Sequence, residues 1–530
     1  MPRLWIDNRP VEVPDGTTVL AAARKLGIDI PALCYLEGHP ANTSCMCCVV
    51  QIDGQADLVP ACATVATEGM RVSSETDEVR AARRTALELL LSDHLGDCIG
   101  PCQSACPAGM DIPRMIRHIA AGDLKAAIAA VKARIALPAV LGRICPAPCE
   151  KACRRGRYDQ PVAIKLLKRH AADADLADDE PYLPPRRPPS GKRVAIIGAG
   201  PAGLAAAYYL LTLGHGCTVF DDHDCPGGML RYGVEPHRLP RNVLDAEVDI
   251  IRQLGAEFRM RTLVGEHVSL EELRTDFDAV FVAVGELRAD DAEQLGLSAP
   301  AGRLRADPAT FQTEVQGVFA GGDAIGRRKS AVRSAAHGHR AAVAIDQYLT
   351  GRPLTGTGRP FTTRMGRLDE EELRRLVALA SPEPRASPAG RTLAGEDAPG
   401  LSDAQAHSEA ARCLHCDCRK AESCKLRRYA ALYAANPKRH GGQRRRLELH
   451  AGRGQVIYEP GKCIDCGLCV QITARAGEAL GLTFVGRGFD VRVAVPFGRE
   501  LDQALQKVAA ECVRACPTGA LAFKMNRASQ

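Results

Sequence analysis

KRVAIIGAGPAGLAAAYYLLTLGHGCTVFDDH, residues 192–223, reads as strand, glycine-rich turn, helix and strand. Gly198, Gly200 and Gly203 stand in the spacing G-x-G-x-x-G. The first glycine turns the chain, the second lets backbone approach a pyrophosphate, and the third lets helix pack on strand, with phosphate at the helix N-terminus. Asp221 ends the second strand about twenty residues on, where a carboxylate accepts ribose hydroxyls. A lone glycine motif says little, but this one has both flanking strands and the acid.

Around this unit the chain is long, 530 residues, which suggests about three to five domains. Its 46% hydrophobic and 25% charged content is that of a soluble globular protein. No apolar run reaches the roughly 18 residues of a membrane span, and MPRLWIDNRPVEVPDG has no secretory core, so a cytoplasmic location is expected. A net charge of +6 with 4% aromatics gives no basic stripe with stacking residues, which argues against nucleic acid.

The 22 cysteines fall largely in C-x2-C and C-x3-C groups, the way thiolate ligands for soft metals are supplied. Cys217, in an apolar strand, and Cys225, in a loop, are read as unliganded. Near the start, RLWIDNRPVEV (3–13) predicts two short strands around an Asn-Arg turn, and TTVLAAARKLGI a helix capped by Thr17 or Thr18. Cys34, Cys45, Cys48 and Cys62 follow and can hold a [2Fe-2S] cluster, with Cys47 spare; a bare C-x2-C also suits zinc. The segment CMCCVVQIDG, with the preceding strand-strand-helix pattern, resembles the [2Fe-2S] domain of complex I-type subunits and of related hydrogenases and formate dehydrogenases.

A helix from Val79 to Leu91 leads into SDHLGDCIGPCQSACPAGMDI, and LPAVLGRICPAPCEKACRRG adds three cysteines. This pairing resembles the helical domain of glutamate synthase small subunits and dihydropyrimidine dehydrogenase, which implies two [4Fe-4S] clusters on Cys98, Cys102, Cys106, Cys145, Cys149 and Cys153. Lys168 falls where that family places a further ligand, and an ammonium has no lone pair to give. His94 is read either as a cluster ligand, by resemblance to complex I-type subunits, or as a histidine favoured at a helix C-terminus. At least one cluster is expected here.

GGMLRYGVEPHRLP, FDAVFVAVG and GVFAGGDA resemble, in order, the flavin-binding motifs of the glutamate synthase small subunit family. That resemblance implies FAD, held by the glycine loop and Asp221 together with Gly228, Arg238, Gly322 and Asp323, with the helix from Ala331 aimed at the flavin. The family's second Rossmann unit, for NAD(P)H, has no room between Glu286 and Gln316, where no second G-x-G-x-x-G/A occurs. The flavin is therefore expected to exchange electrons with clusters or a partner.

Beyond a Pro, Gly and Ser-rich linker (381–402), the helix AQAHSEAAR runs into Cys413, Cys416, Cys418 and Cys424, read as [4Fe-4S] with zinc the competitor. The basic stretch RRYAALYAANPKRHGGQRRR reads most simply as a solvated helix and loop, with a docking surface for an acidic partner as the alternative. Cys463, Cys466 and Cys469, with Cys516 from a distant C-P, form a split ferredoxin set for one [4Fe-4S] cluster, leaving Cys512 over. GLTFVGRGFDVRVAVPF between them resembles the strands of complex I-type subunits.

The expected fold class is multidomain α+β and α/β. It comprises a β-grasp [2Fe-2S] ferredoxin (1–78), a helical [4Fe-4S] domain (79–184), a single FAD-binding Rossmann domain (185–352), a linker with a Cys-rich segment (353–445) and a ferredoxin-like [4Fe-4S] domain (446–530). With FAD, one [2Fe-2S] and three to four [4Fe-4S] clusters and no substrate triad, the chain reads as an electron-transfer subunit of a multisubunit oxidoreductase. Its expected partners are an NADH/FMN-binding flavoprotein or a Mo/W, NiFe or similar catalytic subunit. The alternatives are a stand-alone NAD(P)H:acceptor oxidoreductase and a zinc-containing scaffold.

Overall fold

In the computed structural model Arg193–Ile197 is the central strand of a five-stranded sheet in the order Val318–Ala320, Ala279–Val282, Arg193–Ile197, Gly216–Phe220, Glu257–Arg259. Every pairing is parallel. The chain leaves the first strand toward one neighbour and later returns on its other side, so the carboxyl end of Arg193–Ile197 is a topological switch point, where such sheets bind ligands. The structure describes residues 1–524 except 288–291, 293, 301, 327–328, 388–398, 442–443 and 453. Much of the predicted 381–402 linker, part of the 286–316 segment and two residues of the basic stretch lie outside them.

The described chain divides into two units, each built from separated stretches. The sheet belongs to the second, residues 100–359 and 377–415. There the helices Ile112–Ala120, Leu124–Lys132, Pro138–Ile144 and Ile164–Leu176 share one apolar core with the Rossmann helices Pro201–Thr212 and Ala331–Leu349. The sequence pattern separates a helical from a flavin domain, yet Leu167 and Tyr208 lie in that same core. Polar ties reinforce the junction. Tyr209 donates to the Lys132 carbonyl (3.0 Å), and the buried Glu247 carboxylate accepts the N–H groups of Ala139 and Val140 at 2.6 and 2.9 Å, capping helix Pro138–Ile144 from outside. Helix Asp403–Ala411, opened by a Ser402/Gln405 capping box, also belongs to this unit. Its buried Glu409 accepts the Ala163 N–H (2.7 Å) and pairs with Arg412, whose carbonyl takes Arg155 Nη1 (2.7 Å).

The first unit comprises residues 1–99, 360–376 and 416–530. Its amino-terminal sheet has the order Arg9–Glu12, Arg3–Ile6, Arg71–Ser73, Val49–Ile52, Val59–Pro60. The hairpin turn falls on Asp7-Asn8, one residue before the expected Asn-Arg, because both turn positions take positive φ (48° and 63°), which Asp and Asn tolerate and Arg does not. Thr18 caps helix Val19–Lys25, accepting the Ala21 N–H. Helix Asp77–Ser92 stays with this sheet rather than with the helices that follow. Its fully buried Arg83 pairs with Glu75 (2.8 Å) and donates to the Val49 carbonyl (2.9 Å) and Tyr433 Oη (2.7 Å). The carboxy-terminal part carries two antiparallel ribbons, Val456–Tyr458 with Leu521–Phe523 and Thr483–Val485 with Arg492–Ala494. Among the described residues no helix is long and apolar enough to cross a membrane.

Candidate metal and dinucleotide sites

The glycine loop has the geometry its spacing predicts. Gly198 takes φ 106°, and a Cβ there would lie 2.5 Å from the Ala283 carbonyl; at Gly203 a Cβ would lie 1.9 Å from the Gly198 carbonyl. Around Gly200, the N-cap of helix Pro201–Thr212, the space is open, and no side chain caps that helix end, which leaves its N–H groups available to an anion. Gly228 packs on Gly200, where a Cβ would meet the Gly200 Cα at 2.8 Å, and the Gly227 N–H donates to the Ala199 carbonyl (2.9 Å). Gly322 rests against Ala202 of the same helix, with the half-buried Asp323 beside it in the short turn Gly322–Ala324. Arg238 stands apart on an exposed turn whose Glu235 carbonyl accepts its N–H (2.9 Å).

Asp221 is engaged inward. One oxygen accepts the Ala199 N–H (2.6 Å), and the other takes the N–H and Nδ1 of His223 (3.0 and 2.9 Å). It stiffens the loop, while the adjacent Asp222 is the exposed acid, also bound to His223 Nδ1 (2.7 Å). Burial lowers the His223 pKa, but these carboxylates outweigh it and hold the imidazole above its ordinary value. Strand-end spacing alone cannot choose between two consecutive acids.

In the first unit the amino-terminal thiols come in two pairs. Cys34 Sγ lies 3.4 Å from Cys45 Sγ. Cys62 donates to Cys48, which holds the Cys62 thiol above and the Cys48 thiol below the usual range. Two pairs are what two bridged irons require. Cys47, fully buried, turns its Sγ to the Cys45 carbonyl (3.2 Å). In the unit's carboxy-terminal part Cys463, Cys466, Cys469 and Cys516 line one cavity with Tyr458 and Pro517, and the buried Cys512 lies outside it.

The Cys-rich segment 413–424 is parted by the fold. Cys413 follows helix Asp403–Ala411 and packs on the second unit's core, against which Cys102, Cys106 and Cys153 also lie and in which Cys145 and Cys149 are buried. Cys106, Cys145 and Cys149 line a cavity with Lys168, whose ammonium partly offsets the burial and neighbouring thiols that push Cys149 up to about 12. Cys416, Cys418 and Cys424 fall in the first unit. There the Cys418 N–H meets the Cys98 carbonyl at 3.4 Å. Cys424, the N-cap of helix Lys425–Leu432, accepts the Arg427 N–H on its thiol (3.4 Å); burial, and then Cys418, Cys98 and Cys516, push it up to about 12. Gly519 packs against the Cys418 thiol, and a Cβ there would lie 2.4 Å from Cys418 Sγ. His94 Nδ1 is buried with no hydrogen-bond partner among the described residues, and burial followed by the Lys462 ammonium holds the imidazole down to about 4. Cys98 thus stands with Cys418 and Cys424 in one unit, whereas Cys102 and Cys106 belong to the other.

These donor sets fit iron-sulfur clusters. Buried thiols that stay protonated alone are deprotonated by a metal whose charge offsets the lost solvation. A tetrahedral zinc, with Zn–S about 2.3 Å, would draw its thiolates to ~3.8 Å of one another. Among the described residues no three thiols approach within 4.8 Å; the side chains that do are Asp221, Asp222 and His223.

Family models match three stretches of the chain. Residues 3–77 match a 2Fe-2S iron-sulfur cluster binding domain, 93–180 the 4Fe-4S cluster domain II of dihydropyrimidine dehydrogenase, and 196–266 an NAD(P)-binding Rossmann-like domain. The chain is 42% identical over 206 residues to the NADP(+)-dependent formate dehydrogenase subunit beta of Moorella thermoacetica, covering 35% of this chain and 29% of that protein. Its homologues are oxidoreductase subunits. The NADPH-Fe(3+) oxidoreductase subunit beta of Geobacter sulfurreducens is 42% identical over 36% of this chain and 28% of its own length. The glutamate synthase [NADPH] small chain of Mycobacterium tuberculosis is 43% identical, over 36% and 39%. The chain spans less than half the length of each of these relatives.

Proposed function

We propose that this chain is an iron-sulfur flavoprotein that relays electrons within a multisubunit oxidoreductase. One observation carries the reading: Cys34, Cys45, Cys424 and Cys466, from three separate thiol sets, are buried in a single apolar core. Thiol sets that share a core place their metals close together, out of water. Cys34, Cys45, Cys48 and Cys62 would hold [2Fe-2S]. Cys463, Cys466, Cys469 and Cys516 would hold one [4Fe-4S], and Cys98, Cys418 and Cys424, with His94, another. Cys102, Cys106, Cys145, Cys149, Cys153 and Cys413 supply one or two more in the helical segment, and Cys416 opens the last stretch of the first unit. When bound, each cluster carries one electron at a time, and FAD converts between pairs and single electrons.

The surroundings of the thiols suggest an order in the first unit. Cys466 is pushed up to about 12 by burial and then by Cys516, Cys34 and Cys45, so its set borders the amino-terminal one. Asn42 Nδ2 donates to the Cys466 carbonyl (2.6 Å) across that border. Cys516 also faces Cys424, so the carboxy-terminal set stands between the other two. In the second unit Gly198, Gly200, Gly203 and Gly228 would seat the FAD pyrophosphate at the helix N-terminus, with Asp221 fixing the loop. Strands Ala279–Val282 and Val318–Ala320, between which relatives of the glutamate synthase small subunit family insert an NAD(P)H domain, pair directly with each other. We therefore infer that this FAD exchanges electrons with clusters or with a partner, either an NADH/FMN-binding flavoprotein or a metal-dependent catalytic subunit, in the cytoplasm.

The NAD(P) description of the family model for residues 196–266 favours one rival, a stand-alone NAD(P)H:acceptor oxidoreductase that binds pyridine nucleotide in addition to its flavin. Mixing the pure protein anaerobically with NADH or NADPH separates the two. A flavin that stays oxidised until a partner is added supports the relay; rapid bleaching by the nucleotide alone supports the rival.

A further inference from the structure

Lys462 is 2% exposed and Glu459 4% exposed, and their Nζ and Oε2 atoms are 2.6 Å apart. The other Glu459 oxygen pairs with Arg419 Nη1 at 3.0 Å. The buried Lys462 and the partly exposed Arg419 thus share one buried carboxylate, and the triad carries a net charge of +1. A buried charge that its own partners leave uncompensated costs several kcal/mol unless an opposite charge lies nearby. Beside Lys462 stand thiols that a bound metal would deprotonate. Cys418 lies beside the Lys462 side chain at Gly519, and Cys463 is the immediate neighbour of Lys462 in the chain.

Gly96 gives the Lys462 side chain room, and Gly519 lies alongside it. A Cβ at Gly96, between His94 and Cys98, would lie 2.9 Å from the Lys462 Cε, and a Cβ at Gly519 would lie 3.8 Å from its Cδ and 2.4 Å from Cys418 Sγ. The Lys462 carbonyl accepts the Thr518 hydroxyl (2.8 Å), tying its backbone to the loop that follows Cys516. The side chain therefore passes between the stretch carrying His94 and Cys98 and the loop carrying Cys516, with its charge beside Cys418. Resting on the iron-sulfur reading above, we propose that Lys462 is a positioning residue whose fixed charge sets the reduction potential of the cluster on Cys98, Cys418 and Cys424. Reduction adds one negative charge to a cluster, so a cation held against it favours the reduced form, and low dielectric enlarges the effect.

EPR-monitored redox titration of the full chain, with iron and acid-labile sulfide measured on the same samples, tests this. Lys462→Met keeps the length of the side chain and removes the charge. It is expected to lower the reduced-to-oxidised ratio of that cluster at least ten-fold at the wild-type midpoint, a shift of about 59 mV to more negative potential for one electron. Lys462→Arg should stay near wild type, and the [2Fe-2S] signal should not move. Glu459→Gln, which leaves the two cations without their carboxylate, should shift the same midpoint the opposite way. An iron-replete Lys462→Met protein with an unmoved midpoint overturns the proposal. If that variant does not load iron, Glu459→Gln decides alone: a shift to more positive potential supports it, and no shift or a negative one overturns it. Wild-type protein that contains no iron would instead remove the reading on which it rests.

Discussion

The Cys418 amide meets the Cys98 carbonyl at 3.4 Å, joining the end of the chain's first stretch to the beginning of its last within one folded unit. The second unit's residues are strung between those two points in sequence. Cys98, Cys418 and Cys424 should therefore behave as one ligand set. Cys98→Ala and Cys424→Ala are expected to lose the same EPR signal and equal amounts of iron. Cys413→Ala should lose a different signal. Parallel EPR and iron analysis checks this; if Cys98→Ala instead removes the signal that Cys106→Ala removes, the grouping is wrong.

Cys47 lies between two proposed ligands yet turns toward the Cys45 carbonyl. Cys47→Ala should retain the [2Fe-2S] absorption and EPR spectrum, with a destabilisation of about 1 kcal/mol from the small cavity. Cys34→Ala and Cys48→Ala each break one of the two pairs and should lose the spectrum altogether.

The second and third glycines of the dinucleotide loop should respond differently to a methyl group. At Gly203 the added Cβ would lie 1.9 Å from a backbone carbonyl that cannot swing aside, so Gly203→Ala should cost about 3 kcal/mol or more in thermal unfolding and empty the flavin site. At Gly200 nothing lies within 4 Å. Gly200→Ala should fold normally and lose only flavin affinity, as read by fluorescence of the released flavin.

What the sequence made legible here is local. The G-x-G-x-x-G spacing determines which glycine turns and which packs, because each role follows from its distance along one strand and one helix. The split set ending in Cys516 was likewise readable, since C-x2-C-x2-C with a distant C-P is a single known arrangement. The grouping of Cys413 with Cys418 and Cys424 follows from proximity in the chain, whereas the division between the two folded units falls between His415 and Cys416. Glu409 and Arg412 tie the residues before Cys413 to the stretch 155–163, while Cys418 is held by Cys98. Such long-range polar ties leave no period or spacing to read. The inward turn of Asp221 is of the same kind, settled by the Ala199 N–H rather than by position at a strand end.

Glu247 gives a pH dependence whose sign can be worked out. Burial raises its pKa from 4.5 to about 7, against the two N–H groups of helix Pro138–Ile144 that favour its charged form. Between those values the folded state holds a proton that the unfolded state releases, so this group's contribution to stability falls as pH rises from about 4.5 to about 7. Over that window wild type should lose roughly 3 kcal/mol or less relative to Glu247→Gln, which cannot ionise. Chemical denaturation of both proteins across the window measures the difference; parallel curves would refute the assignment.

The central claim is that the buried thiol sets hold iron and inorganic sulfide beside a bound flavin. Metal, acid-labile sulfide and flavin analysis of protein purified without oxygen, with EPR of the dithionite-reduced sample, tests it most directly. The account predicts a brown protein containing FAD, a [2Fe-2S] signal, at least three [4Fe-4S] clusters' worth of iron and sulfide, and no stoichiometric zinc. A colourless, flavin-free protein, or one with zinc in place of iron, would contradict it.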